Sequence, residues 1–231
     1  MLDFYVLQDK NYGLGNFINL TPTIRSIAEL KGEPVPVYFD IDHVKQCFID
    51  CPFITILDEM PYSRPLFTSG LIAVRNNLPD YINAYVELSK TFDLSPEIPH
   101  TYVDEAKEVK PMDGKYTLLM CGSGSEDPMY LSKNQPNKED YAPYLYLDDC
   151  LFTGSVKDFN RHNWFNHLPH YLNDIRKSLA LIRDAEYIIS NDTGLAHAAG
   201  AMNKNITILW RFTMLPKSGN PGKNTLIKLC K

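Results

Sequence analysis

The stretch Ser190-Asn191-Asp192-Thr193-Gly194-Leu195-Ala196-His197 combines residue types and spacing that can do chemistry. It lies between an apolar run that reads as a strand, Ala185 to Ile189, and a small-residue run that reads as a helix, Leu195 to Met202. A strand that ends in a polar turn and opens into a helix aims unpaired backbone N–H groups, and the positive end of the helix dipole, at one spot. A diphosphate fits such a spot. Gly194 lets the backbone come close to a ligand, Thr193 adds a hydroxyl, and His197 returns to the same end of the helix. Turns of this composition also cap helices throughout α/β proteins, so capping and anion binding both account for it.

The elements that must position this turn follow an alternating strand and helix pattern. In the first half, Leu2 to Leu7, Pro34 to Phe39, Phe53 to Leu57 and Leu71 to Arg75 read as strands. Thr21-Pro22 signals a helix start for a segment running to about Lys31, with Ile24, Ile27 and Ala28 as its inward stripe, and Asp80 to Phe92 reads as another helix. Leu94 to Asp113 holds Pro96, Pro99 and Pro111 among charges and reads as a linker. The second half resumes with strands Tyr116 to Cys121 and Cys150 to Thr153, a helix from about Asn173 to Arg183, and the strand leading into the Asp192 turn. The expected fold is α/β, with two small doubly wound (Rossmann-like) domains facing a cleft, 1–112 and 113–231.

The run Leu179 to Trp210 resembles the donor-binding signature of the heptosyltransferase family, GT-B glycosyltransferases that use nucleotide-diphosphate sugars. Asp192, Thr193, Gly194 and His197 fill the four positions of the family's D-[TS]-G-x-x-H turn, which implies that they hold the donor's phosphates. The resemblance implies an N-terminal acceptor-side domain and a C-terminal donor-binding domain. It departs just after the next strand, where the family has Gly-Pro-Thr and this chain has Arg211-Phe212-Thr213.

Near the N-terminus the family carries G-x-G-D-x-x-x-x-x-P, whose aspartate is the implied general base for the acceptor hydroxyl. Here Gly13, Gly15 and Pro22 are in register, but Asn16 stands at the aspartate's position. An amide cannot take up a proton at neutral pH, so Asn16 is left to orient the acceptor. Asp9, Asp40 and Asp42 are the nearest carboxylates in sequence; the other readings are an acceptor that needs little activation, or lost catalysis. In the second half, Cys121-Gly122-Ser123-Gly124-Ser125 corresponds to a glycine-rich turn of the donor domain, and Lys133-x-x-Pro136 keeps the lysine and proline of a Lys-x-Trp-Pro motif. The resemblance implies that Lys133 neutralises the departing diphosphate, that Gly124 and either Ser123 or Ser125 line it, and that Asp158 meets the donor ribose. Gly15, in the first half, is expected to contact the donor as well. By composition alone, Lys133 reads as a solvated surface lysine, and Tyr171 and Leu172, candidates to cover the nucleobase, read as core.

Several other signals carry less. Gly13-Leu14-Gly15 followed by Asp40 imitates a dinucleotide fingerprint, but Ile18 occupies the third glycine position. Asp40-Ile41-Asp42 matches a metal-binding tripeptide of an unrelated transferase fold, and His162, His167 and His170 lack a zinc spacing. No metal and no cofactor is expected. A net charge of −5 disfavours a broad nucleic-acid footprint, and 44% apolar residues suit packed cores. Five cysteines without a paired CxxC read as reduced thiols and a cytoplasmic setting, while MLDFYVLQDK lacks a leader pattern and no run is long enough to span a bilayer. The expected activity is metal-independent, inverting glycosyl transfer. Its expected partners are a nucleotide-diphosphate sugar donor and a hydroxyl-bearing acceptor, a glycan or a modified nucleobase in DNA, with a homodimer open and a non-catalytic nucleotide-sugar binder as the rival.

Overall fold

The structure, a computed structural model, describes residues 4–69, 80–110, 112–122, 136–145, 147, 149–161, 173–210 and 225–230. Strands β1 (Val6–Gln8), β2 (Val35–Phe39), β3 (Ile54–Leu57) and β4 (Phe67–Thr68) form one parallel sheet in the order β3-β2-β1-β4. Strands β5 (Thr117–Met120), β6 (Cys150–Phe152), β7 (Tyr187–Ser190), β8 (Ile206–Trp210) and β9 (Thr225–Leu229) form a second, in the order β6-β5-β7-β8-β9, again all parallel. The expected mixed α/β architecture with parallel sheets is therefore present. All five residues of β8 are buried, as a strand covered on both faces requires. The strand order reverses between β1 and β4 in one sheet, and between β5 and β7 in the other. Ligands of open α/β sheets bind beyond the carboxyl ends of strands at such points.

The chain divides into two compact units between Asp104 and Glu105. The first contains α1 (Leu14–Lys31), α2 (Asp42–Lys45) and α3 (Asp80–Ser89); the second contains α4 (Lys138–Tyr141), α5 (Val156–Arg161), α6 (Ile175–Asp184) and α7 (Gly194–Ala201). Phe17 packs on Phe39 and Phe48 in the first core, with both ring centroids 4.9 Å away. In the second, Leu119, Cys121, Tyr141, Cys150, Phe152, Ile189 and Leu209 cluster together. Cys47, Cys51, Cys121, Cys150 and Cys230 are all free thiols, and among the described residues no helix is long and apolar enough to cross a membrane.

Three sequence expectations need correction. Helix α1 starts at Leu14, not at Thr21-Pro22, and Pro22 lies inside it. The proline has no N–H for the carbonyl of Ile18, and the Thr21 hydroxyl takes its place, donating to that oxygen at 2.7 Å. Tyr102 N–H in turn donates to Thr21 Oγ1 at 2.8 Å.

The segment read as a linker is also tethered along much of its length. Thr101, Val103 and Asp104 are buried in the first unit, where Asp104 N–H donates to Cys47 O and Asp104 Oδ2 accepts from Asp50 N–H. Beyond Glu105 the Arg183 guanidinium donates to the carbonyls of Glu105, Ala106 and Val109. Finally, the strand read from Ala185 begins at Tyr187, because Ala185 N–H still closes the last turn of α6 on Leu181 O. The strand read over Leu71 to Arg75 lies outside the described residues.

Candidate functional site

The turn after β7 is built by its own polar residues. Ser190, the last strand residue, is buried and donates its hydroxyl to Asn191 O at 2.9 Å. Thr193 is extended (φ −140°, ψ 165°), and its Oγ1 accepts the Ala196 N–H at 3.2 Å, capping α7. His197 N–H donates to Thr193 O at 3.2 Å as the first helical bond. The earlier amides, those of Gly194 and Leu195, have no helical carbonyl to reach, so they and the helix dipole face the space beyond the sheet.

His197 Nε2 lies 3.5 Å from Asp192 Oδ1, with the two side chains 8% and 18% exposed. His197 Nδ1 is buried with no hydrogen-bond partner among the described residues. Thr193 thus spends its oxygen on capping the helix, while the amides of Gly194 and Leu195 have no intrahelical carbonyl and His197 Nδ1 has no partner among the described residues. The structure brings Asp192, Thr193, Gly194 and His197 together, as the spacing predicts.

The neighbouring turn, after β5, is joined to this one by Asn191. Its Oδ1 accepts from Gly122 N–H at 3.2 Å and its Nδ2 donates to Gly122 O at 2.9 Å. On another side, Gly122 faces Asp158, and a Cβ at position 122 would overlap the carboxyl group. Asp158 is held in turn by Ser155, whose hydroxyl donates to Oδ2 at 2.6 Å and accepts Asp158 N–H at 3.0 Å, capping α5. Burial holds the Cys121 thiol far above the usual range, and the nearby Asp158 carboxylate adds to the effect. Sequence reasoning gave Asn191 and Gly122 no individual role. A polar side chain one step past an apolar strand, opposite a glycine past the adjacent strand, was the available signal. Lys133, Ser123 and Gly124 lie outside the described residues, as do Tyr171, Leu172, the histidines at 162, 167 and 170, and Arg211-Phe212-Thr213.

In the first unit the turn after β1 is arranged differently. Gln8 is fully buried; its Nε2 donates to Asp9 O and Tyr12 O, and its Oε1 accepts from Ile41 N–H. Helix α1 opens at Gly13 without a side-chain cap; Gly15 is buried and Asn16 is half-buried in the first turn. Ile18 is fully buried, filling the position where the dinucleotide fingerprint has its third glycine. Asp40 accepts from Lys10 N–H and Asp42 from Gln46 Nε2, and both are exposed. Asp9 is half-buried, with its Oδ1 accepting from both nitrogens of Asn11.

Over 98% of its length the chain aligns with the structure of a glycosyl transferase family 9 protein from Veillonella parvula, at a TM-score of 0.73 and 12% identity, covering 85% of that chain. It aligns over 97% of its length with E. coli heptosyltransferase WaaC, solved with ADP-2-deoxy-2-fluoro heptose, at a TM-score of 0.67 and 13% identity, covering 93% of that protein. The fold is that of the heptosyltransferases. TibC, a dodecameric iron-containing glycosyltransferase from enterotoxigenic E. coli, aligns at a TM-score of 0.67 and 14% identity over 97% of this chain, which spans 63% of TibC. No family model and no curated protein matches the sequence. The heptosyltransferase resemblance, strongest in sequence over residues 175–210, is thus a resemblance of fold across nearly the whole chain.

Proposed function

We propose that the protein is a GT-B glycosyltransferase that moves a sugar from a nucleoside-diphosphate sugar to an acceptor hydroxyl, with inversion and without a metal. The observation that carries this reading is the turn after β7: capped by Thr193, with the Gly194 and Leu195 amides beyond the reach of any helical carbonyl, and backed by the Asp192–His197 pair where the strand order reverses. The second unit takes the donor and the first takes the acceptor. The acceptor oxygen attacks the anomeric carbon in line, that carbon's bond to the diphosphate oxygen breaks, and the hydroxyl proton passes to a carboxylate. The amides at the start of α7, His197 and Lys133 stabilise the charge on the departing diphosphate. Asn16 orients the acceptor. Among Asp9, Asp40 and Asp42, Asp9 suits the base best, because it is half-buried beside the Gly13 turn while the other two are exposed.

Asn16 also supports a second reading, a nucleotide-sugar binder that does not transfer. Titration with ADP, UDP and GDP, followed by thermal midpoint, tests the shared donor site, since a ligand at about 100 times its Kd adds about 2.7 kcal/mol to stability. One nucleoside diphosphate should raise the midpoint, and Thr193→Ala and His197→Ala should diminish the rise. Release of free nucleoside diphosphate from the matching sugar nucleotide then separates transferase from binder. A protein indifferent to every nucleotide overturns both readings.

A further inference from the structure

We infer that Asn191 is a positioning residue for the donor: its side-chain amide couples the β5 turn to the β7 turn, so donor affinity depends on that coupling. The inference rests on the donor site proposed above. Strands β5 and β7 run in register as far as Met120↔Ser190. One residue further, the Asn191 amide continues the pairing with a donor and an acceptor matched to the N–H and C=O of Gly122, 69 residues away in sequence. Asn191 is 3% exposed, so both bonds are made away from water, where losing either leaves a buried peptide group unpaired.

Gly122 is also where Asp158 presses in from α5, whose first turn is locked by Ser155. Asn191 leads directly into Asp192 and the cap Thr193. Three chain segments that meet beyond the sheet, those after β5, at the start of α5 and after β7, therefore share one node. A shift of Asn191 displaces the amides of Gly194 and Leu195 together with the Asp192–His197 pair. A diphosphate bound there reads their spacing to within a few tenths of an ångström, so it senses a loosened node before the fold does.

The charged and titratable groups around this node are Asp158 on α5, Asp192 and His197 on the β7–α7 side, and Cys121 at the end of β5. Asn191→Asp keeps the shape but, when ionised, replaces a donor to Gly122 O with a negative oxygen. When protonated, the same carboxyl supplies one donor and one acceptor and reproduces the pair.

The test measures Kd for ADP, UDP and GDP by calorimetry, with thermal midpoints, for wild type and Asn191→Asp between pH 5 and pH 8. Expected is an affinity for the preferred nucleotide weakened about tenfold or more at pH 8 in protein that is still folded, and a variant-to-wild-type ratio that closes toward pH 5. A folded variant with wild-type affinity at pH 8, or a ratio that ignores pH, overturns the inference and leaves the donor site standing. If the variant does not fold, hydrogen exchange of the wild type decides: nucleotide should protect the amides at 121–122 and 191–194 together, and protection of the second group alone is the contrary result. Wild type that binds none of the three nucleotides removes the proposed function and this inference with it.

Discussion

The carboxyl edges of the two sheets use the same device for different ends. In the first unit, Gln8 folds its amide onto the turn that follows its own strand and onto Ile41 past β2; in the second, Asn191 reaches from the turn after β7 to the turn after β5. The first edge carries Asp9, Asp40, Asp58 and Glu59 in the loops after β1, β2 and β3 and Asp42 at the start of α2, and the start of α1 has no side-chain cap. The second holds its carboxylates against partners, Asp158 on Ser155 and Asp192 beside His197, and has a capped helix start, a buried histidine, and a glycine that cannot be replaced without displacing Asp158. A carboxylate-rich edge repels an anion, whereas oriented amides attract one. Both edges carry glycine-rich turns, but the second is the one to which we assign the donor diphosphate.

The sharpest way to break the comparison is to add one methyl group to each turn. Gly122→Ala forces a Cβ into the Asp158 carboxylate, which must move from its place beside Ser155. We expect a loss of about 1–3 kcal/mol in urea unfolding, as for overpacking elsewhere, together with weakened nucleotide binding. Gly13→Ala meets nothing within 4 Å, at φ −77°, and should change stability by no more than about 0.5 kcal/mol. Equal costs at the two sites would show that the turns do not differ in this way.

Next in size is Thr193→Ala. Removing the cap oxygen takes the Thr193 acceptor from the Ala196 N–H at about 1 kcal/mol, and nucleotide affinity should fall with it, while Thr193→Ser keeps both. In the first unit α1 has no side chain to remove for the same effect. Unchanged affinity in a folded Thr193→Ala would make the threonine a cap and nothing more.

The local part of this contrast was legible in the chain. Asp192 to His197 are contiguous, so their types and spacing carried the turn, its cap and the histidine's return without tertiary information. What escaped was long-range. Pro22 reads as a helix start because it is favoured there, and only a hydroxyl braced by Tyr102, 81 residues from Thr21, lets it sit inside α1. Prolines and charges made residues 94–113 read as a spacer, whereas Asp104 and Arg183 use such groups as tethers across 54 and 77 residues. The Asn191–Gly122 pair spans two turns, one glycine-rich and one polar, that lie 69 residues apart, and no local pattern links them.

An effect that depends on pH alone should be common to both units and so serves as their control. Burial pushes the thiols of Cys51 in the first unit and Cys150 in the second up to about 12, from an ordinary value of 9.0. Above pH 9 the unfolded chain gives up these protons while the folded chain keeps them, so the unfolded state binds fewer protons and stability falls as pH rises toward 12. The slope should approach about 1 kcal/mol per pH unit for each thiol. Urea unfolding at pH 8.0, 9.5 and 10.5 should show it, and Cys51→Ala or Cys150→Ala should each remove one thiol's share. A slope unaffected by either substitution would place the alkaline sensitivity elsewhere.

The smallest expected effect separates the two meanings of the uncapped glycine turn. Gly13 sits at φ −77°, ψ −172°, extended backbone that serine adopts freely, and the space where its side chain would go is open. Gly13→Ser offers an oxygen to the amide of Asn16 three residues on, a gain of a few tenths of a kcal/mol that denaturant midpoints resolve. If the turn only opens α1, the more stable variant should keep full activity. If glycine is retained so that a ligand can lie against the bare backbone, the same variant should be more stable yet slower, with the deficit in acceptor dependence and nucleotide affinity unchanged. That pairing of gained stability with lost turnover would mark the first edge as the acceptor's, because a defect on the donor side would have appeared in nucleotide binding.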